Sequence, residues 1–224
     1  MAVNTEAYNT IRRELAEKKV TLVAVSKTKP AEDIQALYSL GQRDFGENYV
    51  QELVDKQAQL PKDIRWHFIG HLQSNKVKMI APFVHLIHGV DSLKLLQEIN
   101  KQAAKAGRVV DCLLQVHIAQ EETKFGFDEE TLISTNVNEL HQLANVRVIG
   151  LMGMASFTED KEKVRGEFRL LKSLFDKFSA GRPDGQKLQV LSMGMSGDYT
   201  IAITEGSTMA RIGSLLFGAR EYVK

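Results

Sequence analysis

The strongest constraint in this sequence is an alternation: candidate strands, each leading into a helix-forming stretch with a polar start, recur about every 28 residues along a chain of 224. Residues 20–26 (VTLVAVS) form a β-branched run without polar alternation, the pattern of a parallel strand covered on both faces. Pro30 then opens a helical stretch, EDIQALYSL, that ends at Gly41. The alternation continues with a strand at 43–46 and a helix from about Asn48, then a strand at 64–70 (IRWHFIG) and a helix from Ser74. Further strands are predicted at 84–90, 109–118, 146–154, 188–194 and 207–213, which makes eight. Helices fit between them at 91–107, 128–144 and 161–180, with apolar residues at helical spacing. Parallel strands joined by helices in this number close into an α/β (β/α)8 TIM barrel. An extra helix, about Thr5 to Lys18, precedes the first strand and is predicted to sit under or beside the barrel. No internal linker interrupts the pattern, so a single domain spanning 1–224 is expected, with the barrel over about 20–222.

Composition removes several classes of function. With 29 Lys and Arg against 28 Asp and Glu, the formal net charge is +1, which leaves no bulk electrostatic case for nucleic acid or an anionic membrane. A local anion site stays open. The single cysteine, Cys112, lies in the apolar run VVDCLLQVHI and reads as a small buried residue; no disulfide or cysteine-based zinc site within the chain is expected. The N-terminus has no apolar signal-like region and no 18-residue apolar run occurs, so neither secretion nor a membrane span is expected and the cytoplasm is the default location.

In an eight-fold βα barrel, ligands bind at the C-terminal ends of the strands. The first strand ends in Ser26-Lys27-Thr28-Lys29. Ser26 and Lys27 differ in parity, so one of them points into the barrel. A lysine desolvated there would supply the neutral amine of Schiff-base chemistry; the plainer reading is a solvated lysine at a strand end. In the last strand, Met209 and Arg211 share one face while Ala210 and Ile212 share the other. A buried Arg211 requires either a ligand anion or acceptor, or a structural carboxylate. Strand seven is followed by Gly194-Met195-Ser196-Gly197-Asp198 and strand eight by Gly213-Ser214. Glycines for close backbone approach, hydroxyls and helix starts in these two loops fit a phosphate site, which recurs at this place in the fold.

The other strand ends are less decisive. Asn48 is either a ligand contact or a helix N-cap. His67 and His71 have H-x3-H spacing but straddle a strand and a turn, so no metal site is expected there, and His71 reads as structural. Lys124 reads as a loop charge, and the methionines of GLMGMA and LSMGMS as barrel packing.

Taken together, VAVSKTKP, DFGENYVQE, WHFIGHLQSNK, KFGF, GLMGM, LSMGMSGDYTIAI and GSTMARIGSLLFGAR resemble the YggS/PROSC proteins, the pyridoxal phosphate homeostasis family, over residues 20–222. The resemblance implies an alanine-racemase-like barrel holding pyridoxal 5′-phosphate (PLP) as an aldimine to Lys27. It also implies that Arg211 faces the pyridine nitrogen, that Ser196, Gly213 and Ser214 hold the phosphate, that Ser192, Met193 and Gly194 line that end of the pocket, and that Asn48 lies beside the ring. One departure is Gly197, where relatives often carry Asp or another polar residue. An arginine keeps its proton and leaves the pyridine nitrogen unprotonated, which weakens the electron sink. Alanine racemase adds a second acid/base group from a further β-domain, whereas this chain stops 11 residues after Gly213. The expectation is therefore a monomeric PLP-holding protein with little or no turnover, its candidate partners being PLP-dependent apoenzymes. The alternatives are a PLP-dependent amino-acid racemase or decarboxylase of the same fold, and a cofactor-independent sugar-phosphate enzyme using the same phosphate site.

Overall fold

In the computed structural model the eight strands appear in the predicted places: β1 (Thr21–Val25), β2 (Asp44–Glu47), β3 (Arg65–Phe68), β4 (Leu86–Val90), β5 (Val110–Gln115), β6 (Val146–Met152), β7 (Val190–Met195) and β8 (Met209–Ile212). Each pairs in parallel with the next, and β8 pairs with β1 in the register Val23↔Arg211, which closes the barrel. The structure describes residues 3–119, 125–135, 140, 142–180, 182 and 187–218.

Strand parity divides the apolar residues into two layers. One set, including Ala24, Phe45, Trp66, Phe68, Ile87, Cys112 and Leu114, packs under the helices. The other, Val23, Leu86, Leu113, Met152 and Met209, fills the barrel interior. Cys112 is fully buried, and burial raises its thiol pKa far above the usual range, consistent with a packing residue.

The helices are α1 (Thr5–Glu17), α2 (Ala31–Ser39), α3 (Val50–Gln59), α4 (Val77–Ile80), α5 (Leu93–Lys105), α6 (Glu129–Ser134), α7 (Lys161–Ala180), α8 (Tyr199–Thr204) and α9 (Ser214–Phe217). Helix α1 lies beside the barrel. Asn4 N–H donates to the Leu216 carbonyl at 2.8 Å, and the Tyr199 hydroxyl reaches Glu14 at 3.1 Å, so the first helix is tied to the last two.

Two predicted helices differ. From Ser74 the chain makes a 3-10 turn (Ser74–Lys76) and then only the single turn of α4, with Pro82 just beyond it to block continuation. The stretch predicted as helix over 128–144 is helical in α6 as far as Ser134 and again at Leu140, while 136–139 and 141 lie outside the described residues. At the end of α6, Ser134 and Thr135 turn their hydroxyls onto the Thr131 carbonyl, and Thr135 takes an extended backbone. Among the described residues, no helix is long and apolar enough to cross a membrane.

Candidate functional site

The C-terminal ends of β1, β2, β7 and β8 surround a cleft of about 380 Å³ whose walls include Lys27, Asn48, Ser196, Arg211, Gly213 and Ser214. A larger hollow, about 490 Å³, lies against Val109, Val146 and Arg147 at the N-terminal ends of β5 and β6. Strand N-termini in this fold contribute to stability and not to ligand chemistry, so the smaller cleft is the candidate site.

Lys27 follows β1 with the parity of Val23 and faces the cleft, while Ser26 turns outward under α3. There a buried polar clamp grips both residues that flank the lysine. Ser26 Oγ donates to Glu47 Oε1 at 2.6 Å, and Lys56 Nζ donates to the Ser26 carbonyl at 2.8 Å, to Glu47 Oε1 at 2.8 Å and to Glu52 Oε1 at 2.6 Å. On the other side, Thr28 N–H donates to Glu52 Oε1 at 2.6 Å. Thr28 has φ 63°, an outlier for a β-branched residue that costs on the order of 1–3 kcal/mol. The clamp holds that strained turn and with it the direction in which Lys27 leaves the strand.

Burial pushes the Glu47 carboxyl up to about 7, against the opposing pull of the Lys56 ammonium. The unfolded carboxyl titrates near 4.5, so the folded protein binds the extra proton between these values. The stability that proton contributes is complete below about 4.5 and is lost as pH rises through about 7. Glu47→Gln, which keeps the shape without the charge, is expected to gain on the wild type between pH 5 and 8 by roughly 5–10 °C in Tm, about 2.5 kcal/mol from the linkage of a carboxyl so shifted. Thermal unfolding of both proteins across that range checks it; a constant difference would place Glu47 outside the titration.

Asn48 is not a helix cap, because α3 begins at Val50 with Tyr49 in the cap position. Its Oδ1 is buried without a hydrogen-bond partner beside the cleft. Gly70 makes this approach possible: a Cβ there would lie 2.3 Å from the Asn48 carbonyl oxygen.

Arg211 lies among interior residues, almost wholly buried, and reaches the cleft. It donates to Ser192 O at 2.9 Å, Ser192 Oγ at 2.6 Å and Gly153 O at 3.1 Å. Among the described residues no carboxylate forms an ion pair with it, so the structural-pairing alternative does not hold. Burial pushes the guanidinium down to about 10, with the Asp198 charge opposing. It therefore remains charged at neutral pH.

The loops after β7 and β8 meet where Gly213 N–H donates to Ser196 Oγ at 3.2 Å. Between the pairs Ser192↔Met209 and Met195↔Arg211, β7 advances three residues while β8 advances two, a bulge that contains Gly194 at φ +96°. Ser192 lies beneath the cleft against Arg211, and the Met193 side chain packs in the helix-facing core, so neither side chain is part of the cleft wall. Helices α8 and α9 have only six and four residues, so amides and hydroxyls, not a helix dipole, would carry anion contacts here. A Cβ on Gly197 would meet nothing within 4 Å, so the departure at that position changes no packing.

His71 is half-exposed, pairs with Asp91 at 3.1 Å and stacks on Phe125 at a centroid distance of 4.1 Å. His67 points instead into the barrel, so the H-x3-H pair does not converge on one point. Lys124 lies outside the described residues. The Glu47–Lys56–Glu52 clamp and a second polar group, Asp44, His67 and His88 inside the barrel, are absent from the sequence reading. The available signal was the presence of polar residues within strands otherwise buried on both faces.

Comparison with known proteins gives a consistent picture. The model of the alanine racemase N-terminal domain matches residues 5–221. The chain is 44% identical over 211 residues to the pyridoxal phosphate homeostasis protein of Aquifex aeolicus, covering 92% of this chain and 90% of that one. It is 38% identical over 237 residues to the human pyridoxal phosphate homeostasis protein, covering 100% and 86%. Among solved structures, PipY of Synechococcus elongatus with PLP bound is similar at a TM-score of 0.85 and 36% identity, covering 95% of this chain and 99% of that one.

Proposed function

The chain belongs to the pyridoxal phosphate homeostasis family, and from that premise we propose that it holds PLP reversibly in the cleft at the C-terminal end of the barrel. The observation that carries this reading is convergence: Lys27, Arg211, Ser196, Gly213 and Ser214 come from both ends of the chain to one 380 Å³ space. The donor set fits the cofactor. A primary amine stands where an aldehyde would be met, hydroxyls and amides stand where a phosphate would be met, and a guanidinium lies at the pocket floor. The buried, unpartnered Asn48 Oδ1 is a further polar atom facing this region without a protein partner.

PLP supplies an aldehyde that condenses with a primary amine, releasing water. Lys27 is the residue assigned to that link, and the clamp below it aims the side chain. Ser196, Gly213 and Ser214 anchor the phosphate, and Arg211 donates to the ring nitrogen without giving up its proton. The near-neutral charge gives no basis for nucleic-acid or membrane binding and fits small-molecule chemistry; a cytoplasmic monomer, with PLP-dependent apoenzymes as the class of recipient, completes the proposal. Incubation with PLP followed by borohydride reduction and peptide mass spectrometry tests the reading. A pyridoxyl group on Lys27 is expected; a colourless protein that takes up no PLP would overturn it.

A further inference from the structure

The barrel interior is largely apolar and is crossed by a continuous polar file. Its core residues are Val23, Leu86, Leu113, Met152 and Met209. Through them runs a chain of contacts from one rim to the other. Arg211 Nη1 donates to Ser192 Oγ at 2.6 Å, Ser192 Oγ lies 3.0 Å from His88 Nδ1, His88 Nε2 lies 2.9 Å from His67 Nδ1, and His67 Nε2 lies 3.0 Å from Asp44 Oδ1. At the far rim, half-exposed Arg65 donates to both oxygens of Asp44.

Proton direction along this file follows from its ends. Arginine can only donate and an ionised carboxylate can only accept. Ser192 Oγ accepts from Arg211, so its own O–H points to His88 Nδ1. The single His88 proton then sits on Nε2 and points to His67 Nδ1, and the His67 proton sits on Nε2 and points to Asp44. Every hydrogen bond runs the same way, and each ring nitrogen is used once. The reverse arrangement needs an extra proton on His67. It would place two donors on Ser192 Oγ, leave the serine proton without an acceptor in an apolar interior, and add a second buried cation to a file that ends in one.

The surroundings agree with this direction. Burial favours a neutral Asp44, but the hydrogen bonds from Arg65 and His67, together with the Arg65 charge, outweigh it and hold the carboxyl well below its usual range. Burial keeps the His88 ring neutral, reinforced by the Arg211 charge. His85 stands edge-on to His67 at 5.4 Å, and Asp44, His67 and His85 offer ligand atoms within 4.8 Å of one another. Arg65 already occupies both Asp44 oxygens, so the protein's own cation serves that cluster.

We propose that Ser192, His88, His67 and Asp44 are positioning residues: a one-directional hydrogen-bond relay that fixes the Arg211 guanidinium, supplies its acceptor and ends on a carboxylate at the opposite rim. A carboxylate directly on Arg211 would cancel the charge presented to the cleft. The relay satisfies the buried donor and leaves that charge available to a ligand. Its bearing on the cofactor rests on the function proposed above; its existence does not.

Nitrogen-15 NMR of the histidine-labelled, PLP-free protein tests it. At pH 7.5 both His67 and His88 should show the Nε2–H tautomer. An imidazolium at His67 or an Nδ1–H tautomer at His88 would overturn the relay. His88→Leu breaks the file, and His88→Gln preserves it because the amide both accepts and donates. In PLP-free protein, the Arg211 guanidinium protons should exchange about tenfold faster in the Leu variant and near the wild-type rate in the Gln variant, the factor expected for one lost buried hydrogen bond. Equal rates in all three proteins would overturn the positioning role. PLP retention should fall by a similar factor in the Leu variant alone. If the wild type takes up no PLP, the functional reading fails while the tautomer result still decides the relay, and it does so even if the Leu variant does not fold.

Discussion

Replacing Lys27 with alanine is expected to reduce borohydride-stable attachment of a pyridoxyl group to background while leaving the fold intact. The side chain leaves the end of β1 into the cleft and is not part of the packed core, so its removal should change stability by no more than about 0.5 kcal/mol. What disappears is the amine itself. Lys29 also borders the cleft, and the experiment therefore has an internal control. If Lys29 or another lysine of the variant acquires the adduct at the wild-type level, the assignment to Lys27 fails. Non-covalent binding should survive in weaker form, because Ser196, Gly213, Ser214 and Arg211 remain in place. A red-shifted absorption band on adding PLP to the wild type, absent from Lys27→Ala, gives the same answer without reduction.

The second large effect concerns a residue outside the cleft. Lys56→Met should destabilise the protein by about 3–5 kcal/mol, the cost of removing one member of a buried ion pair. At this chain length that corresponds to a fall in Tm on the order of 10 °C. The ammonium group serves three acceptors, namely Glu47 Oε1, Glu52 Oε1 and the Ser26 carbonyl. Methionine fills the space but leaves buried Glu47 either to take up a proton or to stand without a counter-charge beside Glu52, and a buried carbonyl without its donor. Removing both charges should recover part of the loss, since the penalty comes from the unpaired group more than from the absent attraction. Lys56→Met combined with Glu47→Leu is thus expected to melt above Lys56→Met alone. A single variant that melts within about 2 °C of wild type would show that the pair is not clamped as described. Loss of the clamp should also slow PLP attachment, because Thr28 then has less to hold it at positive φ.

Much of the fold follows from local regularities. Each strand run is apolar on both faces and each helix carries an apolar stripe, so their alternation predicted the barrel and its eight strands. Period-2 parity also separated Met209 and Arg211 from Ala210 and Ile212, as the two apolar layers bear out. The misses have local causes as well. Pro82 cuts short one helix that periodicity alone extended, and an extended backbone at Thr135 interrupts another.

For the site, sequence determined which residue types stand at the strand ends, because that depends only on where each strand stops and which way its last residue faces. Lys27, Arg211 and the two glycine-serine loops were legible on that basis. Tertiary structure alone decided what those residues rest on. His88 and Ser192 are 104 positions apart, and Ser26 and Lys56 are 30 apart on different elements. Whether such residues meet is set by the stagger of eight strands around a closed barrel and by the tilt of the helix packed outside it. No segment encodes that stagger by itself, since it arises when all eight strands close and their interior side chains share one volume.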